Sequence, residues 1–246
     1  MRVLYSGLGF TEGPTVTPQG LVWVSVSKGN VYRDGDVVAH MGGGPNGTAL
    51  GPDGCVYITQ NGGVDYAKWK LPVDDVYDPV PPGVFRMAAD GQIEAVLGPE
   101  GLQAPNDLVF FEGTLYFTDS DAKCVFDSEL NVVSADWSYP NGIAVGPGGL
   151  WVADTLRRHV VRLSDKRVVE MPASGPDGIR FDEEGRLYAA CPADTAVHVF
   201  EDGKRVGSFK GEGNGLFTNC CLRGAELIVT AALDQTVLAF DLSDRN

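Results

Sequence analysis

Ile143–Asp154 reads IAVGPGGLWVAD, and the phrase returns as TALGPDGCVYIT at Thr48–Thr59, LVFFEGTLYFTD at Leu108–Asp119 and IRFDEEGRLYAA at Ile179–Ala190. Each copy is an apolar strand, a tight turn and a second apolar strand. A short polar signature stands ahead of each copy, and ahead of two further strand-like runs. The six signatures are Glu12-Gly13-Pro14, Pro45-Asn46-Gly47, Pro105-Asn106-Asp107, Pro140-Asn141-Gly142, Pro176-Asp177-Gly178 and Thr218-Asn219-Cys220. Their anchor residues 12, 46, 106, 141, 177 and 219 are spaced by 34, 60, 35, 36 and 42 residues, and every one carries a side-chain oxygen. Self-similarity at this period marks a propeller or a solenoid array.

The strands are rich in Val, Leu, Ile, Phe and Tyr, the 32 Gly and 15 Pro are spread evenly, and no helical periodicity of useful length is present. This predicts an all-β chain, and six units of about four strands each predict a six-bladed β-propeller formed by residues 1–246 as a single domain. The N-terminal strand at Arg2–Ser6 is expected to close the ring by joining the last blade, Asn219–Leu242, which would leave few open sheet edges. The long second interval comes from Val64–Gly83, VDYAKWKLPVDDVYDPVPPG. It follows a strand that returns to the rim of the anchors, so residues 64–83 are expected to form a lid-like insertion in blade two, with Tyr66 and Trp69 as candidate substrate contacts.

A net charge of −14 excludes the basic footprint that nucleic-acid binding requires. No apolar run reaches the length of a membrane span. The opening MRVLYSGLGF lacks the pattern of a secretory signal, and five cysteines form no C-x-x-C pair, so a reducing, cytoplasmic setting is expected. His40, His159 and His198 fall in or beside outer strands and read as solvated surface groups. No G-x-S-x-G elbow is present. The partner expected is a small-molecule substrate.

In a propeller the first strand of each blade lines the channel, so the anchors should meet at its mouth. Glu12 and Asp177 would bring two carboxylates, and Asn46, Asn106, Asn141 and Asn219 four amides. A set of hard oxygen donors without His or Cys suits one divalent cation, Ca²⁺ ahead of Mg²⁺, Mn²⁺ or Zn²⁺. Two carboxylates neutralise such an ion. Asn, Asp and Pro-Asn-Gly are also ordinary turn formers, which accounts for any one of these signatures but not for all six in register.

As an ordered set, Thr11-Glu12-Gly13-Pro14, Asn106-Asp107-Leu108, Tyr116-Phe117-Thr118-Asp119, Asn141-Gly142-Ile143-Ala144, Pro176-Asp177-Gly178-Ile179 and Thr218-Asn219-Cys220-Cys221 resemble the SMP-30/gluconolactonase/regucalcin-like family of six-bladed propellers. The resemblance implies a divalent metal held by Glu12, Asn141 and Asp177, with Asn106 as fourth ligand or as holder of a water on the metal. It also implies the opening of lactone rings, with Asp107 at the position of an acidic substrate contact. A related branch with a similar ligand set cleaves phosphorus–fluorine esters. Regucalcin-type members carry an Arg two residues before the third anchor, where this chain has Ala104, and blade three is shorter after Asp119-Ser120. The expected function is therefore a metal-dependent hydrolase of a lactone or similar small ester. Asp177 is expected to be the catalytic base, with Asp107 as its substitute, and Asn46 and Asn219 to stand behind the ligands and orient them or water. Two alternatives stay open: another reaction at the same site (isomerase, lyase or cyclisation), and a binding module in which the metal is structural.

Overall fold

The computed structural model describes residues 1–73, 78–171 and 174–245, with the side chain of Trp69 left out. Six four-stranded antiparallel sheets form the six blades of a β-propeller. The inner strands are Thr11–Thr17, Pro45–Leu50, Pro105–Phe111, Pro140–Gly146, Ile179–Phe181 and Phe217–Arg223, in blades one to six. Each pairs with the second strand that the repeated phrase predicts, such as Gly149–Asp154 in blade four. The single α-helix among the described residues is the short Tyr66–Trp69.

The ring closes as the sequence predicts. Arg2–Tyr5 lies antiparallel on Thr236–Asp241, with Val3 opposite Leu238, and becomes the outer strand of blade six. Tyr5 then stacks on Trp23 of blade one at 4.7 Å between ring centres, so the first strand is held by two blades at once. The Arg2–Glu226 ion pair beside it is solvent-exposed and adds little.

Burial follows the alternation of the strands. Six buried apolar clusters occupy the six interfaces between neighbouring blades. Ala144, Trp151 and Val160 of blade four, for example, pack on Ile179, Leu187 and Phe200 of blade five. Each side chain of this kind contributes about 1.5–3 kcal/mol when fully buried. Apolar faces thus bind the blades to one another, and polar strand ends are left to face the channel.

A second set of contacts tightens the inner ring. The pairing of inner and second strands shifts register beside the anchors of blades one to four and six, for instance between Pro140 and Ile143. Such bulges re-aim a side chain and free backbone N–H groups from the ladder. Buried threonines on the second strands take them up. Gly47 N–H donates to Thr59 Oγ1 at 2.8 Å, Asp107 N–H to Thr118 Oγ1 at 3.1 Å, and Asn219 N–H to Thr230 Oγ1 at 3.0 Å. Thr118 Oγ1 donates onward to the Asn141 carbonyl of the next blade at 2.6 Å, and Thr59 Oγ1 to that of Asn106. The glycine after an anchor is required by the same closeness: a Cβ on Gly142 would collide with the Asp177 carbonyl, which accepts the Gly142 N–H at 3.1 Å.

Thr118→Val strands the Asp107 N–H and the Asn141 carbonyl in a dry place. It is expected to cost about 1–3 kcal/mol of unfolding free energy, measured by urea denaturation. Unchanged stability would show that these links are replaceable.

Candidate functional site: a ring of buried oxygens

The anchors converge at one mouth of the channel. Asn219 of blade six donates its amide N–H to both oxygens of Asp107 in blade three, at 3.1 Å each. Those blades lie on opposite sides of a six-membered ring, so the mouth is narrow enough for a direct bond across it. Glu12, Asn46, Asn106, Asp107, Asn141 and Asn219 are all buried, and Asp177 is half-buried by surface exposure.

The orientation of the amides is set from behind. Asn106 donates Nδ2 to Ser120 Oγ at 3.1 Å, and Asn141 donates Nδ2 to Thr155 Oγ1 at 3.3 Å. Both hydroxyls are themselves fixed by donating 2.7 Å bonds to backbone carbonyls of the next blade, Pro140 and Pro176. With its nitrogen so engaged, Asn141 leaves Oδ1 buried without a hydrogen-bond partner, and Asn46 Oδ1 is in the same state. Buried polar atoms are rarely left unpaired, and two orphaned acceptors in one ring are free to take a cation or a water. Asn46 therefore offers a ligand oxygen directly, beyond the orienting part that the sequence suggests. Asn219 braces Asp107 and accepts the Cys220 N–H at 2.8 Å on its own oxygen.

The carboxylates crowd each other. Burial first, then the charges of Asp177 and Asp107, hold Glu12 well above the ordinary carboxylate range, against favourable bonds from the Gly13 N–H and the Asn219 amide. Burial and the charge of Asp107 raise Asp177 in the same way, while Asn141 favours its ionised form. Asp107 is raised by burial to about 6, with Arg180 and Asn219 pulling it back. Three acids that resist ionising together, ringed by unpaired amide oxygens, fit a divalent cation by charge and by donor type. Glu12, Asn46, Asn141 and Asp177 could hold one, with Asn106 beside them.

Several neighbours escape the sequence reading. Tyr139 precedes the fourth signature, and burial followed by the charge of Asp177 pushes its phenol up to about 12. It therefore remains a proton donor across the neutral range. Arg180 sits one residue past Ile179, donates Nε to the Cys220 carbonyl at 3.4 Å and is the cation that faces Asp107. The Ser120 and Thr155 hydroxyls had a legible signal, since each follows the acid that ends the second strand. Those acids, Asp119 and Asp154, clamp the loops leading to Asn106 and Asn141 through the N–H groups of Gln103, Ala104, Ser138 and Tyr139.

Residues 64–83 lie only partly within the described chain, since 74–77 fall outside it. Tyr66 is buried with its ring 5.4 Å from Phe10, two residues before Glu12, and the Trp69 side chain lies outside the described residues. Of the histidines, His40 is exposed, but His198 is not the solvated group that its outer-strand position suggests: it is 3% exposed and bonded to Asp194 at 2.9 Å.

The sequence profile of the SMP-30/gluconolactonase/LRE-like region matches residues 10–233, and the chain belongs to that family. A curated gluconolactonase of Zymomonas mobilis subsp. mobilis is 28% identical over 90% of this chain, which spans 61% of that relative's length. A gluconolactonase of Xanthomonas campestris superposes with a TM-score of 0.78 at 23% identity, covering 97% of this chain and 88% of its own. The calcium-binding protein regucalcin of Agrobacterium tumefaciens does so at 0.75 and 17% identity, covering 97% and 92%. At these identities the two structures speak for the fold alone.

Replacing Asp107 by Asn in the metal-free protein tests the crowding. A carboxyl whose folded pKa is raised binds more protons folded than unfolded, so its effect on stability worsens as pH climbs from about 4 to about 6. Relative to wild type, Asp107→Asn is expected to gain at most about 3 kcal/mol between pH 4 and pH 7, at 1.36 kcal/mol per unit, in chelator-treated urea unfolding. A gap that is independent of pH would remove Asp107 from the crowded set.

Proposed function

We propose that this chain is a divalent-cation-dependent hydrolase that opens a small lactone or similar ester at the channel mouth. The observation that carries the reading is the pair of orphaned amide oxygens, on Asn46 and Asn141, set among three mutually repelling carboxylates. The family and the curated gluconolactonase relative support the reaction class. Glu12, Asn141 and Asp177 would hold the cation, with Asn46 and Asn106 completing the oxygen set. Ca²⁺ is favoured by the hard donors and by the regucalcin neighbour.

When bound, the cation supplies a Lewis acid that draws electron density from the ester carbonyl. The chain's own groups manage the protons. Asp177 would be engaged with the cation, whereas Asp107 is held by Asn219, so Asp107 would be the better-placed acceptor of the proton that water gives up as its oxygen attacks the carbonyl carbon. The ester C–O bond then breaks and the ring oxygen leaves with the proton that Asp107 has taken. Tyr139, protonated throughout, offers a hydrogen bond to charge that builds at this edge of the ring. Ala104, in place of an arginine, favours a lactone less polar than a sugar acid. Five free cysteines support a reducing cytoplasm as the setting.

The test is hydrolysis of a panel of γ- and δ-lactones followed by pH drift, in metal-stripped protein and after return of Ca²⁺, Mn²⁺ or Zn²⁺. Turnover should reappear with the metal. Asp177→Asn is expected to lose cation affinity and turnover together. Asp107→Asn should keep the cation and lose about 10²–10⁴-fold in kcat, the usual contribution of a general base. Tight cation binding with no lactone opened by the wild type would sink the hydrolase reading.

A further inference from the structure

We propose that Cys191, Asp194 and His198 form a second cation site, suited to Zn²⁺, on the face of blade five that packs against blade four. Ligand atoms of the three residues all lie within 4.8 Å of one another. The fold brings them together by simple means. Ala189 and His198 are opposite each other across the second and third strands, so their side chains share a face, and Cys191 stands on that face two residues further on. The 3₁₀ turn Pro192–Asp194 links the strands and returns the Asp194 carboxylate to His198.

A short contact between the imidazole and the carboxylate offers an ion two ligands here. His198 Nε2 lies 2.9 Å from Asp194 Oδ2, and its other ring nitrogen, Nδ1, is buried with no hydrogen-bond partner. A Zn²⁺ ion about 2 Å from each would bind Nε2 and the Asp194 oxygen as adjacent ligands, in place of the proton they share. Ser174 Oγ is a further buried atom without a conventional hydrogen bond, and it is the neighbour that favours the Cys191 thiolate. Against it, burial and the Asp194 charge push the thiol up to about 12, so Cys191 is no nucleophile on its own. A dication changes that balance: it displaces the thiol proton, and the thiolate and carboxylate together neutralise it.

The donors decide which ion. Sulfur, nitrogen and one carboxylate oxygen suit Zn²⁺ and discriminate against Ca²⁺, the reverse of the all-oxygen mouth. The Asp194 side chain is 22% exposed, which supplies the path by which the ion enters. Occupancy would also brace the mouth. The Asp177 N–H donates to the Ala190 carbonyl at 2.8 Å and the Ala190 N–H to the Gly178 carbonyl at 2.9 Å, so the strand end carrying Cys191 is bonded to the backbone around Asp177. The assignment stands independently of the lactonase reading.

Cobalt(II) is the probe, because only a thiolate ligand gives it a sulfur-to-metal charge-transfer band in the near ultraviolet, and the central ring contains no sulfur. The full chain, stripped with chelator, is titrated with Co²⁺ and then challenged with Zn²⁺ or Ca²⁺. The band should saturate at one equivalent, yield to Zn²⁺, resist excess Ca²⁺ and persist in Asp177→Asn. It should vanish in Cys191→Ser. In His198→Gln, Co²⁺ affinity should fall by more than the roughly 10–100-fold that loss of an orienting partner costs. Absence of a sulfur band in wild type, or an undiminished band in Cys191→Ser, overturns the proposal. Its loss in Asp177→Asn would overturn it too, by assigning the thiolate to the central site.

Discussion

Glu12, Asp107 and Asp177 share a mouth so narrow that Asn219 bonds directly across it to Asp107, and this crowding of buried negative charge governs what surrounds it. Left alone, carboxylates in such a place would spread apart or draw in water. They are kept together because the backbone beneath them cannot give. Threonine hydroxyls tie each bulge to the next blade, and apolar clusters lock the blades behind them. The packing energy of the interfaces is therefore the source from which the electrostatic strain of the ring is met, and strain of that kind is characteristic of sites built for charge.

The near-repetition of the blades hides a division of labour. At the end of the second strand, blades three and four carry acid-hydroxyl pairs, Asp119-Ser120 and Asp154-Thr155, which clamp a loop and turn an amide in one step. Blade five has Cys191-Pro192 there instead. It gives up the loop clamp and acquires the thiol, carboxylate and imidazole cluster. Blade three replaces the glycine after its anchor with Asp107, and the space left by Gly47 of the preceding blade admits it, since a Cβ there would come within 2.6 Å of Asp107 Oδ1. The departures at Asp107 and Cys191 thus gather ionisable groups, and the conforming positions are where the ring is held.

The fold was legible because β-propellers are written in periods: alternating apolar strands, glycine turns and an N-terminal strand that completes the last blade. The convergence of the six anchors followed from the same period, without any knowledge of distance. Their individual parts did not follow. Asn46 and Asn219 occupy equivalent positions, yet one ends with an orphaned oxygen and the other as the brace of Asp107. That difference arises from which residue stands across the channel, 112 positions away in the chain for Asn219 and Asp107.

Period and residue type, carried by local chain geometry alone, thus determined the six blades, the closing strand and the family of oxygens at the mouth. Tertiary structure alone decided the rest. It set which carboxyl is pushed up to about 6, which amide oxygen lacks a partner, and why His198, on a strand that reads as outer and solvated, is sealed beside Cys191. These depend on desolvation and on charges brought close across blade interfaces. Such quantities belong to the packed ring, and no single stretch of the chain contains them.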